Sequence, residues 1–294
     1  MEKIAIPSYS YTAKSYCLLA KPGIILGNVI TTAGGFALAS KGHIDFLLFL
    51  ATMIGLSCVI GSACAFNNYI DRESDRKMSR TKNRPLARGE ISVRKALIFA
   101  VVLCAVGVAV LGIFTNLRTL SIAIFGFLAY VVLYSFSKYR SVHGTLIGSI
   151  AGAVPPVIGY CAVSNKLDAP AWILFAIIVM WQMPHFFAIA IYRMDDYAKA
   201  GIPVLPVQKG IVRTKVQMIL YIIGFIAASS LLPLFDYTGN GYFFIVLVLG
   251  AAWLLLALQG FKSSNDIRWA RKMFVFSLLI ITAQFVSIPF SIGH

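Results

Sequence analysis

The sequence predicts an all-α, polytopic membrane protein: a bundle of nine transmembrane helices with two Asp-bearing loops on one side. Three observations predict it. Of 294 residues, 59% are hydrophobic and 13% charged, against about 45–50% and about 25% in a soluble domain. The apolar residues come in runs of about 20, the length that crosses hydrocarbon. The runs are continuous and do not alternate, which excludes barrel strands. Finally, the 26 Lys and Arg are sorted by side. With the N-terminus inside, all but Lys41, Arg118 and Lys166 fall on the inner face, as the positive-inside rule requires. The net charge of +15 is therefore mostly topology, and no nucleic-acid partner is expected.

The expected spans are 22–40, 46–66, 96–114, 119–136, 144–163, 170–191, 216–234, 242–261 and 273–291. The first opens on Pro22 and carries Asn28, an amide that must bond another helix or line a pocket. The fourth ends in Tyr134, Ser135 and Lys138 on the inner side. The fifth contains Pro155-Pro156, a kink signal, and the sixth holds Pro184 beside His185. A proline inside a helix frees a carbonyl and can bend the span. The segment before the first span lacks a signal-peptide core, and none of the five cysteines forms a C-x-x-C pair. The expected location is a cell inner membrane, the whole chain forming one domain with its SIGH end outside.

Two inner loops stand out, about 70–95 and 192–215. They collect Asp71, Glu73, Asp75, Glu90, Asp195 and Asp196 out of eleven acidic residues. Asn67, Asp71 and Asp75 are four residues apart. On a helix each such step turns about 40° and rises about 6 Å, so the three form one oxygen-bearing stripe. Such oxygens suit Mg²⁺, which takes a few protein ligands, several waters and a substrate's phosphates. Arg72, Arg76, Lys77, Arg80, Lys82 and Arg84 surround the stripe, and a diphosphate needs both metal and cations. A solvated inner loop accounts for the Lys and Arg, but not for carboxylates in register with an asparagine.

In the second region, His185, Tyr192 and Asp196 fall within about 20° of one face if the helix runs straight, with Asp195 about 80° away. Asp196 is thus the functional candidate and Asp195 the solvated one. A histidine inside an apolar span is either functional or bonded to a neighbouring helix. His185 lies roughly 16 Å deeper than Asp196.

The stripe followed by Arg80-Thr81-Lys82-Asn83-Arg84-Pro85 resembles the first Asp-rich motif of the UbiA superfamily of intramembrane prenyltransferases. KPGIILGN (21–28), NNYIDR (67–72), GTLIGSIAGAVPPVIGYCAV (144–163), WQMPH (181–185) and IPVLPVQKG (202–210) are similar to its haem-modifying branch. Asn68 stands where aromatic-acid prenyltransferases of the superfamily usually carry Asp, and Tyr192 where their second motif has its first Asp. The resemblance implies a Mg²⁺-dependent transfer of the farnesyl group of farnesyl diphosphate to a vinyl group of haem b, with water added. A haem A synthase is the implied downstream partner. It implies that Asn67, Asp71, Asp75 and Asp196 hold the metal, the three carboxylates being catalytic. It further implies that Arg72, Lys77, Arg80, Lys82, Arg84, Tyr134, Lys138, Tyr192 and Lys199 bind the diphosphate, and that Asn28, Trp181 and His185 line the haem and prenyl pocket. The competing readings are prenylation of a quinone or chlorophyll precursor, and a transporter. A transporter expects ionisable groups near the midplane, whereas these carboxylates cluster at the inner surface.

Overall fold

The computed structural model describes residues 13–291; Lys3 and the last three residues of the SIGH end lie outside that range. Among the described residues, nine helices or joined helix segments are long and apolar enough to cross a membrane, and all nine overlap the expected spans. Their ends reach further than the apolar runs, because hydropathy marks hydrocarbon while caps mark where a helix stops.

A short helix α1 (Ala13–Ala20) leads through Lys21, in left-handed conformation at φ 56°, into α2 (Pro22–Ser40). Asp45 caps α3 (Phe46–Lys77) by accepting from the Leu48 N–H at 3.0 Å. This helix runs 32 residues, well past the expected end at 66. The polar turns continue because Asn67–Lys77 contains no glycine or proline, and its buried oxygens find cationic partners on other segments. Ser92 and Asn116 cap α4 (Val93–Phe114) and α5 (Leu117–Leu128) in the same way. The fourth span then passes through a π-helical stretch, Ala129–Tyr134, into α6 (Ser135–Ser137).

The fifth span is two helices, α7 (Gly144–Gly152) and α8 (Val154–Ser164), broken just before Pro155-Pro156. Both prolines sit in the first turn of α8, where no N–H is required. By contrast, α9 (Ala169–Tyr192) runs unbroken with Pro184 inside it. It ends at Arg193, and two short helices follow, α10 (Met194–Lys199) and α11 (Leu205–Lys209). The chain closes with α12 (Ile211–Leu234), α13 (Asn240–Gln259) and α14 (Asp266–Ser287).

The main packing pairs are α3 with α4, α2 with α8, and α9 with α12 and α14. Between α2 and α8 the backbones nearly touch. A Cβ on Gly159 would lie 2.0 Å from the Thr32 carbonyl oxygen, and one on Gly35 would lie 2.1 Å from that of Pro156. The largest apolar cluster joins α8, α9 and α12–α14 through Ile177, Phe225, Trp253 and Phe285. A smaller one joins α3, α4, α5 and α8 through Leu56, Leu111 and Ile158. On α4, α12 and α13, side chains such as Val101, Ile113, Leu220, Phe244 and Leu255 remain exposed, which is the surface a lipid-facing helix presents.

Candidate active site

A cavity of about 640 Å³ lies inside the bundle, walled by α2, α3, α5, the π-helical stretch, α7, α8, α9 and α14. That is within the range of sites for organic ligands. The outer helices α4, α12 and α13 contribute no wall. From Leu56 to Asp75 along α3 it extends roughly 28 Å at 1.5 Å per residue.

The oxygen stripe forms the inner end. Asn67, Asp71 and Asp75 are only 3%, 7% and 4% exposed, and all three line the cavity. The solvated-loop reading therefore fails for them. Each already holds a donor from a distant segment. Lys21 Nζ donates to Asn67 Oδ1 at 2.8 Å, while Asn67 Nδ2 has no partner. Asp71 pairs with Lys138 and accepts from the Tyr139 hydroxyl at 2.9 Å. Arg84 reaches back to both oxygens of Asp75, at 2.9 and 2.7 Å, and the Thr81 hydroxyl donates to the Asp75 carbonyl. The loop after α3 is thus folded over the helix end by the carboxylate it covers. Burial pushes the Lys21 ammonium down to about 8. It also lowers Lys138, despite the neighbouring Asp71 carboxylate.

The other expected residues divide. Arg80, Arg84, Tyr134 and Lys138 line the inner end, and Asn28, Trp181 and His185 line the cavity further along. Asn28 spends its amide on the Ile24 carbonyl of its own helix, at 2.7 Å. Arg72 lies over the Tyr69 ring at 4.5 Å and bonds that residue's carbonyl. Lys77, Lys82 and Lys199 are exposed, and none of these four cations lines the cavity. Tyr192 packs edge-on against Phe274 at 5.9 Å, also outside the lining. Asp195 is exposed and Asp196 buried, as their spacing predicts. The straight helix assumed for Asp196 is broken at Arg193, however, and Asp196 does not wall the cavity. Its oxygens accept from the N–H and hydroxyl of Ser79, each at 3.0 Å. Burial alone would raise the Asp196 carboxyl, but those bonds and Arg193 carry it below the usual range. Asp196 ties the second loop to the first.

Asn68 donates to the Leu19 carbonyl at 2.8 Å and is turned to α1. Sequence reasoning counted Lys21 only as a topological charge and passed over Tyr139 and Ser79. The one local signal was Lys21 immediately before Pro22-Gly23. The π-helical stretch was also unforeseen; it sets Tyr130 and Tyr134 in a stack, centroids 5.4 Å apart, on the cavity wall. Such insertions recur at functional sites.

Beyond the stripe the walls turn apolar, with Leu56, Val59, Phe127, Ile158, Ile178 and Ile281. His185 is the polar exception. It is buried, stacked on Trp181 at 4.8 Å and tilted against Phe274 at 4.9 Å, with Nδ1 2.7 Å from the Ser277 hydroxyl. The bond to a neighbouring helix is therefore present, and His185 lines the cavity as well.

The UbiA prenyltransferase family profile matches residues 28–279. The chain belongs to this family. Curated relatives of similar sequence carry the name protoheme IX farnesyltransferase. The one from Protochlamydia amoebophila is 56% identical over 277 residues, covering 94% of this chain and 98% of its own. The one from Edwardsiella ictaluri is 53% identical over 283 residues, covering 95% and 96%. The fold is shared with solved family structures at far lower identity. A digeranylgeranylglyceryl phosphate synthase aligns with TM-score 0.78 at 20% identity, covering 95% of this chain and 98% of its own. A UbiA homolog from Archaeoglobus fulgidus bound to GPP and Mg²⁺ aligns with TM-score 0.68 at 14% identity, covering 94% and 99%. The chain is a polytopic intramembrane prenyltransferase.

Proposed function

We propose that the protein transfers the farnesyl group of farnesyl diphosphate to a vinyl group of haem b, with water added, giving haem O and diphosphate. The observation that carries this reading is the polarity of one continuous cavity. A carboxylate- and cation-lined inner end opens into an apolar, aromatic chamber that holds a histidine. The curated relatives' name supports both substrates.

The donor set fits a hard divalent cation: two buried carboxylates and an amide on one helix face, oxygens only. Among the described residues no three of His, Cys, Asp and Glu converge, so Mg²⁺ held by Asn67, Asp71 and Asp75 would keep positions for water and phosphate. The A. fulgidus homolog's Mg²⁺ supports the same choice. When bound, the metal offsets charge on the departing diphosphate. Asp196 braces the two loops, and any metal contact from it requires release from Ser79.

The chain's own residues supply the rest. Lys21, Arg80, Arg84 and Lys138 face the inner end as fixed cations, able to receive a leaving diphosphate in a medium where separated charge is costly. Tyr130, Tyr134 and Phe127 line the path to the chamber, where their ring faces can stabilise an allylic cation and keep water from it. Lys77, Lys82, Lys199 and Arg72 belong to the approach surface of the inner loops, and Tyr192 supports Phe274 beside His185. His185 and Trp181 serve the acceptor side, too deep for the diphosphate. The implied setting is a cell inner membrane with both loops cytoplasmic.

Purified protein incubated with haem b, farnesyl diphosphate and Mg²⁺ tests the reading by mass analysis of extracted haem. Farnesylated, hydrated haem is expected, lost on chelation and restored by Mg²⁺. Unmodified haem alongside a prenylated aromatic acceptor would overturn it.

A further inference from the structure

Three polar side chains in the apolar part of the site take no part in holding diphosphate: Gln182 and His185 in the cavity wall, and Ser277 behind them. Ser277, on α14, is wholly buried. Its hydroxyl donates to the Phe274 carbonyl at 2.6 Å, which leaves only lone pairs for the His185 Nδ1 at 2.7 Å. Nδ1 therefore carries the imidazole proton, and Nε2 presents its lone pair. The main-chain carbonyl of Ser277 also accepts from Trp181 Nε1 at 2.8 Å, so one residue fixes both His185 and the ring stacked on it.

Gln182 stands three positions before His185 on α9, a neighbour on the helix surface. It is 7% exposed, it lines the cavity, and its Oε1 has no hydrogen-bond partner. Its carboxamide lies flat on Gly152, where a Cβ would come within 2.6 Å of both amide atoms. The walls around the pair are apolar: Ile178, Phe186, Leu278 and Ile281. Two acceptors without a donor in such a wall are the partners a bound water requires. Oε1 is closed off in this rotamer, and a turn of the terminal amide about its broad last torsion brings it to the chamber, where a water donating one hydrogen to it and one to Nε2 presents its lone pairs.

We propose that Gln182 and His185 hold the water that completes the reaction, and that Ser277 is the positioning residue that sets the His185 tautomer. This rests on the farnesyl-to-haem reading above. The allylic C–O bond breaks with its electron pair leaving on diphosphate. The farnesyl C1 then bonds to the terminal vinyl carbon, and positive charge passes to the carbon beside the macrocycle. The held water forms a C–O bond there, one O–H bond breaks, and the proton goes to Nε2. Without that water the same cation loses a proton from the adjacent CH₂ and gives an alkene, lighter by one water.

The experiment is product analysis with purified wild type, Gln182→Leu, Ser277→Ala and Ser277→Thr, each checked for folding by its Tm. Haem b, farnesyl diphosphate and Mg²⁺ are supplied in heavy-oxygen water. The ratio of alkene to hydrated product is expected to rise about tenfold or more in Gln182→Leu and Ser277→Ala. Ser277→Ala should also shift the pH profile of that ratio, while Ser277→Thr, which keeps the hydroxyl, restores both. Parallel loss of both products, or an unchanged ratio in both variants, overturns the proposal. A changed absorbance of bound haem in Ser277→Ala with the ratio unchanged gives Nε2 to the iron and likewise overturns it. A wild type that makes no farnesylated haem overturns the underlying reading instead, before any variant is compared.

Discussion

Asp71 and Asp75 are buried carboxylates, each with a cation of its own: Lys138 for the first and Arg84 for the second. A charge at about 4 Å is worth around 4 kcal/mol at an effective dielectric of 20. Asp71→Asn is therefore expected to cut turnover at least about a hundredfold with the protein still folded in the membrane. Asp195→Asn, on an exposed carboxylate, should change it far less. Steady-state rates of the two variants check this, and equal small losses would sink it. Arg84 holds the loop to Asp75 with its side chain 24% exposed. Arg84→Ala should lower stability by about 1–3 kcal/mol, the figure for a broken buried pair reduced for that exposure. Thermal unfolding in detergent measures it, and an unchanged Tm would mean that the loop is held by Ser79 and Asp196 instead.

Helix α3 is the element that turns a membrane span into a site. Its apolar turns cross the bilayer, and its last three polar turns remain helical because Lys21, Lys138 and Arg84 reach them from three other segments. The contact of α2 with α8 serves the same end on the opposite wall, since both helices line the cavity. Glycine is required there by closeness of approach. A methyl at Gly159 would sit 2.0 Å from the Thr32 carbonyl, so Gly159→Ala must push the helices apart. The expected cost is about 1–3 kcal/mol, read as a lower Tm, together with weaker binding of the apolar substrate. Gly112→Ala on α4, outside the cavity lining, where a Cβ meets only the Leu120 side chain at 3.6 Å, is the matched control and should leave both unchanged.

For the whole molecule, the sorting of Lys and Arg to one side is the ground for the proposed orientation, with the stripe facing the cytoplasm. Lys82 and Asp236 are exposed at opposite ends of the bundle's spans. In a background without the five native cysteines, a membrane-impermeant thiol reagent added to intact cells should label Asp236→Cys and spare Lys82→Cys. The reverse pattern would put the carboxylates on the wrong side for a cytoplasmic diphosphate.

The spans, their order and the oxygen stripe were legible in the sequence, because each depends on local regularities. Twenty apolar residues must cross hydrocarbon as a helix, and four-residue spacing puts side chains on one face wherever a helix forms. The partners of the stripe were not legible. Lys21, Lys138 and Tyr139 lie 46, 67 and 68 positions from the residues they hold, and no local pattern encodes a contact across such separations. Asp196 shows the limit from the other side. Spacing marked Asp196 as the functional candidate and Asp195 as the solvated one; Asp195 is exposed and Asp196 buried, yet a single break at Arg193 took Asp196 off the His185 face and onto Ser79. The sequence by itself determined the number of spans and the chemical identity of the site's oxygens. The tertiary structure alone decided which cations meet those oxygens and that they share one cavity with His185, because only packing brings distant segments within bonding distance.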